Sequence, residues 1–527
     1  FWSSVSPPTV STHPMPVDAR QLRGVFAAFA LGLVHAFALS WPEFWWLQLL
    51  AVAGLALVLA PLSIRPAALA GFGFGLGWFV AGVAWLFISM HRYGGLPAPL
   101  AVLALLLFCA YLALFPCLAC TLSCLVNRGA RDRPVTFAAA LGSAFVLAEW
   151  LRGWLFTGFP WLSPGYAHTD GPFAGLAPWL GVYGVGGLAI FSGAALGLGA
   201  MSLARRETLA IRPIAAALLA ALLALLGGQV QWGEPHGQAL RVDLLQGNIE
   251  QEMKFNPERT LAAMRWYVDA IETGKADLVV MPETAWTLVW SHTPQSIVSA
   301  LRERLTAGAQ VVIGMPLLAD KAGQRISNSM AVIDAGGAVV ARYDKRHLVP
   351  FGEFIPPGFG WFVKMMNIPL GDFHRGGDEQ ALVPAGDHRI GFNICYEDLF
   401  GAELARQVRA GATLLINASN IAWFGQSHAL PQHLEIARMR ALELARPMLR
   451  ATNTGVTAAI DHRGRVVASL EPYTAGSLRT SIAPVAGLTP FARWGDWPAV
   501  ILALLTLIAL LIGARTSKQS PRAHGAQ

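Results

Sequence analysis

Charge is scarce in this chain. Only 13% of its 527 residues are Asp, Glu, Lys or Arg, about half the share in an ordinary soluble protein. Cysteine is scarcer, with five in all. Cys109, Cys117, Cys120 and Cys124 share one apolar run, and no histidine or carboxylate joins them, so they read as helix packing rather than a metal face. The six histidines between His292 and His433 are scattered without ligand spacing, and no metal or other cofactor is expected. Gly71–Gly77 is rich in glycine but lies inside an apolar run, so it reads as helix packing and not as a phosphate loop. These shortages exclude a disordered chain, a coiled coil and an ordinary soluble enzyme.

What is abundant is apolar sequence: 54% of residues, with a mean hydropathy of +0.47. Crossing a membrane takes about 20 apolar residues in a helix. Eight runs qualify: Gly24–Trp41, Phe44–Pro61, Ala67–Met90, Leu100–Val126, Val135–Leu151, Leu176–Ala204, Pro213–Val230 and Pro498–Gly513. Seven precede a polar segment, Gln231–Gly495, and one follows it. The domains expected are a disordered tail (1–21), a seven-helix membrane domain (22–230), a soluble domain (231–495), an eighth span (496–514) and a polar tail (515–527). The N-terminus shows no secretory cleavage signal, the first run reads as a retained anchor, and Met15 is a candidate start.

The net charge of +7 sits entirely on the apolar flanks. Segment 231–495 holds 25 basic and 25 acidic residues; the remainder holds 14 basic and 7 acidic. A nucleic-acid partner would need basic clusters on the soluble domain, so none is expected. With the N-terminus inside, twelve of the flank cations fall on cytoplasmic loops and only Arg92 and Arg152 fall outside. This positive-inside bias predicts cytoplasmic termini and an external soluble domain. Glu149 and Arg152, three apart at a span's outer end, read as a structural ion pair or as interfacial snorkelling.

The external domain has α/β texture. Short β-type runs (240–245, 278–281, 311–315, 329–333, 338–343, 390–395, 413–417, 458–460) alternate early with helices and later read as hairpins. Helices are expected at 257–273, 293–307, 401–410 and 428–445. Three strand ends carry reactive groups: Glu283, Lys345 and Cys395, the domain's lone cysteine. Each alone is unremarkable in chemistry: a loop acid, a surface lysine, a core thiol. Together they supply a base, an oxyanion cation and a nucleophile for acyl transfer. A following helix start at Cys395 should favour its thiolate. Burial should raise Glu283 and Lys345 should lower it, with the balance open.

At these residues the sequence resembles the nitrilase superfamily, and more closely its membrane-bound branch, the apolipoprotein N-acyltransferases. The resemblance runs from about Leu22 to Gly513. It is carried by Phe159-Pro-Trp-Leu, Ala177-Pro-Trp-Leu-Gly-Val-Tyr-Gly184, Gln246-Gly-Asn248, Pro282-Glu-Thr284, Tyr343-Asp-Lys-Arg-His-Leu-Val-Pro-Phe-Gly-Glu353, Cys395-Tyr-Glu397, Asn417-Ala-Ser-Asn420 and Trp423-Phe424. It implies an external α-β-β-α sandwich joined to the membrane helices, lying outside the bacterial inner membrane. It implies Glu283 as general base, Lys345 as oxyanion stabiliser and Cys395 as nucleophile, supported by Glu353, Tyr396 and Glu397. The implied donor is a membrane phospholipid, typically phosphatidylethanolamine at sn-1, and the acceptor is a diacylated apolipoprotein. Trp286, Trp361, Phe362, Trp423 and Phe424 are candidate contacts to lipid substrates, with core packing as the competing reading. Two rivals remain: a membrane-tethered amidase acting on small amides, and a transporter with a degenerate nitrilase-like domain.

Overall fold

The computed structural model describes residues 19–126, 133–207, 210–250, 257–306, 308–319, 325–356, 358, 360 and 373–519. The tail before residue 19, the last eight residues, Trp361 and Phe362 lie outside the described residues, so the expectations for them are not addressed by it.

Long helices occupy the apolar runs: α1 (Ala19–Ser40), α2 (Trp45–Leu59), α3 (Ile64–Gly82), α4 (Ala98–Val126), α5 (Pro134–Arg152), α6 (Ala177–Ala204) and α7 (Ile211–Gly227). Among the described residues, seven helices are long and apolar enough to span a membrane, the last being Trp497–Arg515 within the closing helix. The count of eight spans rests on α7, whose 17 residues reach about 26 Å, short of the ~30 Å hydrocarbon core. The third helix stops at Gly82 rather than running to Met90; a short helical turn and a π-turn at Ser89–Tyr93 follow.

Small residues let these helices touch. A Cβ on Gly32 would overlap the Phe74 carbonyl, and one on Gly77 would overlap the Phe29 carbonyl, so α1 and α3 pack backbone to backbone. Cys120 sits against Gly71 in the same way, in keeping with a packing role for the α4 cysteines. Exposed leucines of α4 and α7 and the exposed leucines and isoleucines of the closing helix give the bundle an apolar outer face. Glu149 and Arg152 form a fully buried ion pair, so snorkelling is excluded; Arg152 also donates to the Phe159 carbonyl and, at 2.9 Å, to that of Trp161. His35 and His168 are also buried in the bundle, a polar feature that the apolar runs concealed.

The polar segment folds into two six-stranded sheets. The first has the order β13-β2-β3-β4-β5-β6, from β2 (Leu240–Gln246), β3 (Leu278–Val280), β4 (Gln310–Leu318), β5 (Ile326–Asp334), β6 (Val339–Asp344) and β13 (Gly476–Ile482). The second has the order β12-β11-β10-β9-β8-β7, from β7 (Val383–Ala385), β8 (His388–Ile394), β9 (Leu414–Ser419), β10 (Met448–Thr452), β11 (Ala458–Ile460) and β12 (Val466–Ser469). A small ladder, β1 (Glu234–Pro235) with β14 (Val485–Ala486), closes the ends of the domain.

Each sheet has a parallel trio at its centre, β2-β3-β4 and β8-β9-β10. The later strands expected as hairpins are so in β4-β5-β6, β7-β8 and β10-β11-β12, which pair antiparallel, but β8, β9 and β10 are parallel and correct that expectation. Two helices, α10 (Gly401–Arg409) and α11 (Ala429–Leu444), provide the crossovers. Strands 448–452 and 476–482 lie outside the expected runs, as do the short 383–385 and 466–469; strand 448–452 follows closely on α11, and 476–482 is mostly polar and only part-buried. Apolar side chains of both sheets fill the interior. Helices α8 (Pro257–Ala270) and α9 (Gln295–Arg304) cover the first sheet, and α10, α11 and α12 (Pro490–Trp494) cover the second. The result is an α-β-β-α sandwich, from which α13 (Trp497–Gln519) leads back to the bundle. One apolar core runs on from the bundle into the domain through Tyr396, Leu399, Ile421, Leu430, Ile436 and Met439.

Candidate active site

Glu283, Lys345 and Cys395 lie just beyond the ends of β3, β6 and β8. Two of these turns put non-glycine residues in the left-handed region: Thr284, directly after Glu283, at φ 52°, and Cys395 itself at φ 50°. Such strain persists only where the surroundings impose it, as at sites where a side chain must be aimed.

Glu283 and Lys345 converge. Lys345 Nζ is 3.2 Å from Glu283 Oε1 and 2.8 Å from Glu353 Oε1, and all three side chains are buried. Asn328 Nδ2 donates to the same two oxygens, at 2.7 and 2.8 Å. The Asn420 N–H donates to Glu283 Oε2 at 2.8 Å, and the Val349 N–H to Glu353 Oε2 at 2.9 Å. Burial by itself would raise Glu283, but Lys345, Asn328 and the Asn420 N–H outweigh it and hold the carboxyl below its ordinary value. Burial opposes charge on Lys345, yet Glu283 and Glu353 keep it well above the ordinary lysine range. Glu283 is therefore an ionised carboxylate and Lys345 a fixed cation.

Cys395 is half-buried. Burial, and then the negative charge of Glu283, push its thiol up to about 12, against the pull of Lys345 and the Ser419 hydroxyl. This reverses the expected thiolate. The turn after Cys395 is a five-residue 3₁₀ segment, too short to set against desolvation and a neighbouring carboxylate.

Glu397 ties the backbone just before Cys395 to the backbone just after Lys345. It accepts the N–H groups of Ile394 (2.6 Å), Arg346 (2.7 Å) and His347 (3.0 Å) and the Tyr343 hydroxyl (3.1 Å). Burial lifts it to about 7, while those backbone donors and Lys345 pull it back. Glu397→Gln turns one acceptor oxygen into a donor facing an N–H, whichever way the amide points. A buried clash of this kind costs about 1–3 kcal/mol. We expect a lower melting temperature and at least roughly ten-fold slower acyl transfer, read by thermal unfolding and product formation. An unchanged rate would remove Glu397 from the support of the site.

The remaining candidates divide. Tyr396 donates from its hydroxyl to the Gly158 carbonyl at 2.7 Å, and His347 Nε2 lies 2.9 Å from the Thr157 carbonyl, so the segments after Cys395 and Lys345 both rest on the membrane half. Trp423 stands edge-on to Tyr93 (5.6 Å), and Phe424 packs on Trp85 (4.2 Å), which puts both on that seam. Trp286 does not reach it. It is fully buried under the first sheet with its N–H on Thr293 Oγ1 at 3.2 Å, a core aromatic. Sequence reasoning missed Asn328, Asn420 and Ser419; the last two stood inside the quoted string Asn417–Asn420, but nothing in that string tells a ligand of Glu283 from a strand residue.

A helical membrane bundle carrying a two-sheet sandwich of this kind defines a membrane-bound carbon-nitrogen hydrolase-type protein. The sequence matches the carbon-nitrogen hydrolase family over residues 241–489 and the apolipoprotein N-acyltransferase N-terminal domain over residues 31–195. It is 46% identical over 493 residues to the apolipoprotein N-acyltransferase of Ralstonia nicotianae, covering 93% of each chain. It is 43% identical over 503 residues to that of Bordetella bronchiseptica, covering 89% of this chain and 92% of the other. The chain belongs to the apolipoprotein N-acyltransferase family. The NitFhit protein of C. elegans is a solved structure with some likeness, at 17% identity and a TM-score of 0.37 over 54% of this chain and 65% of that one.

Proposed function

We propose that this enzyme moves an acyl chain from a membrane phospholipid, through a thioester on Cys395, to the N-terminal amine of an S-diacylglyceryl-cysteine on an apolipoprotein. The observation that carries this is the buried Glu283–Lys345–Glu353 cluster beside a half-buried thiol, on a turn that rests against membrane helices. At rest the thiol keeps its proton, since a depressed Glu283 is a weak acceptor for a thiol at about 12. Proton transfer is therefore coupled to sulfur–carbon bond formation. Glu283 takes the proton as Sγ attacks the ester carbonyl, and Lys345 holds the oxyanion. Collapse expels the lysophospholipid alkoxide, which takes the proton from Glu283. The acceptor amine then attacks the thioester, gives its proton to Glu283, and Cys395 leaves to recover that proton as the thiol. Splitting one transfer into two is the advantage of a covalent nucleophile.

Phosphatidylethanolamine is the donor and the diacylated apolipoprotein the acceptor in this reading. Trp423 and Phe424, on the seam, contact the acyl chains. The charge bias supports an inner-membrane protein with cytoplasmic termini and a periplasmic catalytic domain. The proposed domains are 22–230, 231–495 and 496–514. The amidase reading has less support, because the relatives matched over most of the chain are acyltransferases.

The test is one assay with a labelled phospholipid and a diacylated lipopeptide. Label on Cys395 that chases into N-acylated peptide is the expected result. Peptide acylation by an enzyme whose cysteine never carries label would overturn the thioester.

A further inference from the structure

Two adjacent residues of α11 hold opposite sides of the seam. Successive helical residues point about 100° apart, so neighbours can face different partners. Gln432 is buried and faces the membrane half. Its Oε1 accepts the indole N–H groups of Trp85 (3.1 Å) and Trp161 (2.8 Å). Its Nε2 donates to Ser40 Oγ (2.9 Å) and to the Gly82 carbonyl (3.1 Å). Four partners, from the ends of α1 and α3 and the segments after α3 and α5, meet on one amide. Indoles only donate, so the amide can point only one way.

His433 faces the nucleophile. Arg450 lies 2.7 Å from Nδ1. Arginine only donates, so Nδ1 accepts and the proton is on Nε2. That N–H is shared between Asp398 (3.0 Å) and the Cys395 carbonyl (3.3 Å). Asn417 Nδ2 is a second donor to the same carbonyl at 3.3 Å. Arg450 closes the network by donating to Asp398 (3.3 Å) and Asn417 Oδ1 (3.0 Å). The His433 ring also leans on Trp161, with centroids 5.3 Å apart. A strained residue at φ 50° thus has its carbonyl gripped from behind. In a trans peptide the C=O and N–H point in opposite directions, so this grip also aims the Tyr396 N–H.

We propose that Gln432 and His433 are positioning residues that tie the nucleophile's backbone to the packing of the outer ends of the membrane helices. The inference rests on Cys395 being the nucleophile. It makes the geometry of the thiol depend on Trp85 and Trp161, which belong to the membrane half and touch neither Glu283 nor Lys345 through any hydrogen bond among the described residues.

The test uses the full chain in detergent with phospholipid, and the variants Gln432→Leu, His433→Phe, Trp161→Phe and the double Gln432→Leu/His433→Phe. The readouts are the rate of Cys395 acylation by intact mass, the KM for donor, and the rate of Cys395 alkylation by iodoacetamide without lipid. Each single variant is expected to slow acylation by roughly ten-fold, the size of one lost hydrogen bond in the transition state. KM is expected to stay within about two-fold, because the lost bonds run between groups of the protein itself and not to the donor. Alkylation should change in the same variants, and the double variant should lose no more than the worse single, since the two residues act in series. Unchanged acylation and alkylation in folded variants, or multiplied losses in the double, would overturn the proposal. Should Gln432→Leu fail to fold, Trp161→Phe decides, as it removes the N–H that Gln432 accepts while keeping an aromatic ring, smaller than the indole, at that place. A wild-type cysteine that takes no acyl group sinks the thioester, and the alkylation rates then still decide the positioning.

Discussion

Replacing Cys395 with alanine is expected to abolish acyl transfer and leave the fold intact. Alanine keeps the Cβ at a position whose φ is already +50°, so the turn bears no new strain. The carbonyl stays held by His433 and Asn417, because those bonds go to backbone. What disappears is the sulfur that takes the acyl chain in the proposed reaction. Cys395→Ser separates nucleophile from geometry. A hydroxyl gives up its proton far less readily than a thiol, and Glu283, held below its ordinary value by Lys345, is a weak base for it. We expect a loss of about 10³-fold or more for serine, in line with nucleophile replacements generally. Intact mass after incubation with phospholipid is the measurement. An acyl adduct on either variant, or turnover above a few per cent, would place the nucleophile elsewhere.

Lys345→Met is expected to damage stability and rate together. The lysine is the cation between two buried carboxylates, Glu283 at 3.2 Å and Glu353 at 2.8 Å. Removing one partner of a buried ion pair typically costs about 3–5 kcal/mol, because the other charge stays behind without compensation. Here one carboxylate escapes by taking a proton, and that gives the loss a pH signature. In the wild type Glu283 is depressed, so its contribution is present above the unfolded-state value and is lost as pH falls through the folded-state value. In the variant, burial without the lysine is expected to hold Glu283 above its unfolded value, so stability falls as pH rises through that range. The gap between wild type and variant should therefore be smaller near pH 5 than near pH 7.5. Thermal unfolding at the two values reads it. The rate should fall by about 10²–10³-fold, the range for a lost oxyanion donor. A variant as stable as wild type at both pH values would mean that the cluster is not held by the lysine.

The site gains chemical sense from its place in the molecule. Its donor and acceptor are both lipid-linked in the proposed reaction, and the turns carrying Cys395 and Lys345 touch the bundle through Tyr396 and His347 respectively. The bundle and the domain share one apolar core rather than meeting across a polar linker. Such continuity gives a physical reason why this chemistry is built on membrane helices at all.

The apolar runs determined the membrane half. Hydropathy is a local property, and lipid demands it residue by residue, so α4 and α6 agree with the sequence to within two residues at each end. The triad was legible for a related reason. Glu283, Lys345 and Cys395 each follow a β-type run, and strand ends are where a rigid sheet delivers side chains to a loop. The tertiary structure alone decided which partners those three meet. Strand β13 pairs with β2 from more than two hundred residues away, and the parallel trio of the second sheet joins strands separated by whole helices. Polar residues placed by such pairings carry no periodic signal. Asn328 looks like any strand residue until β5 brings it under two carboxylates. Trp286, chosen for standing three residues from Glu283, belongs to the core because its side chain turns under the first sheet. Gln432 and His433 read as one polar step on a helix, and only the fold sends one to the membrane and the other to the nucleophile.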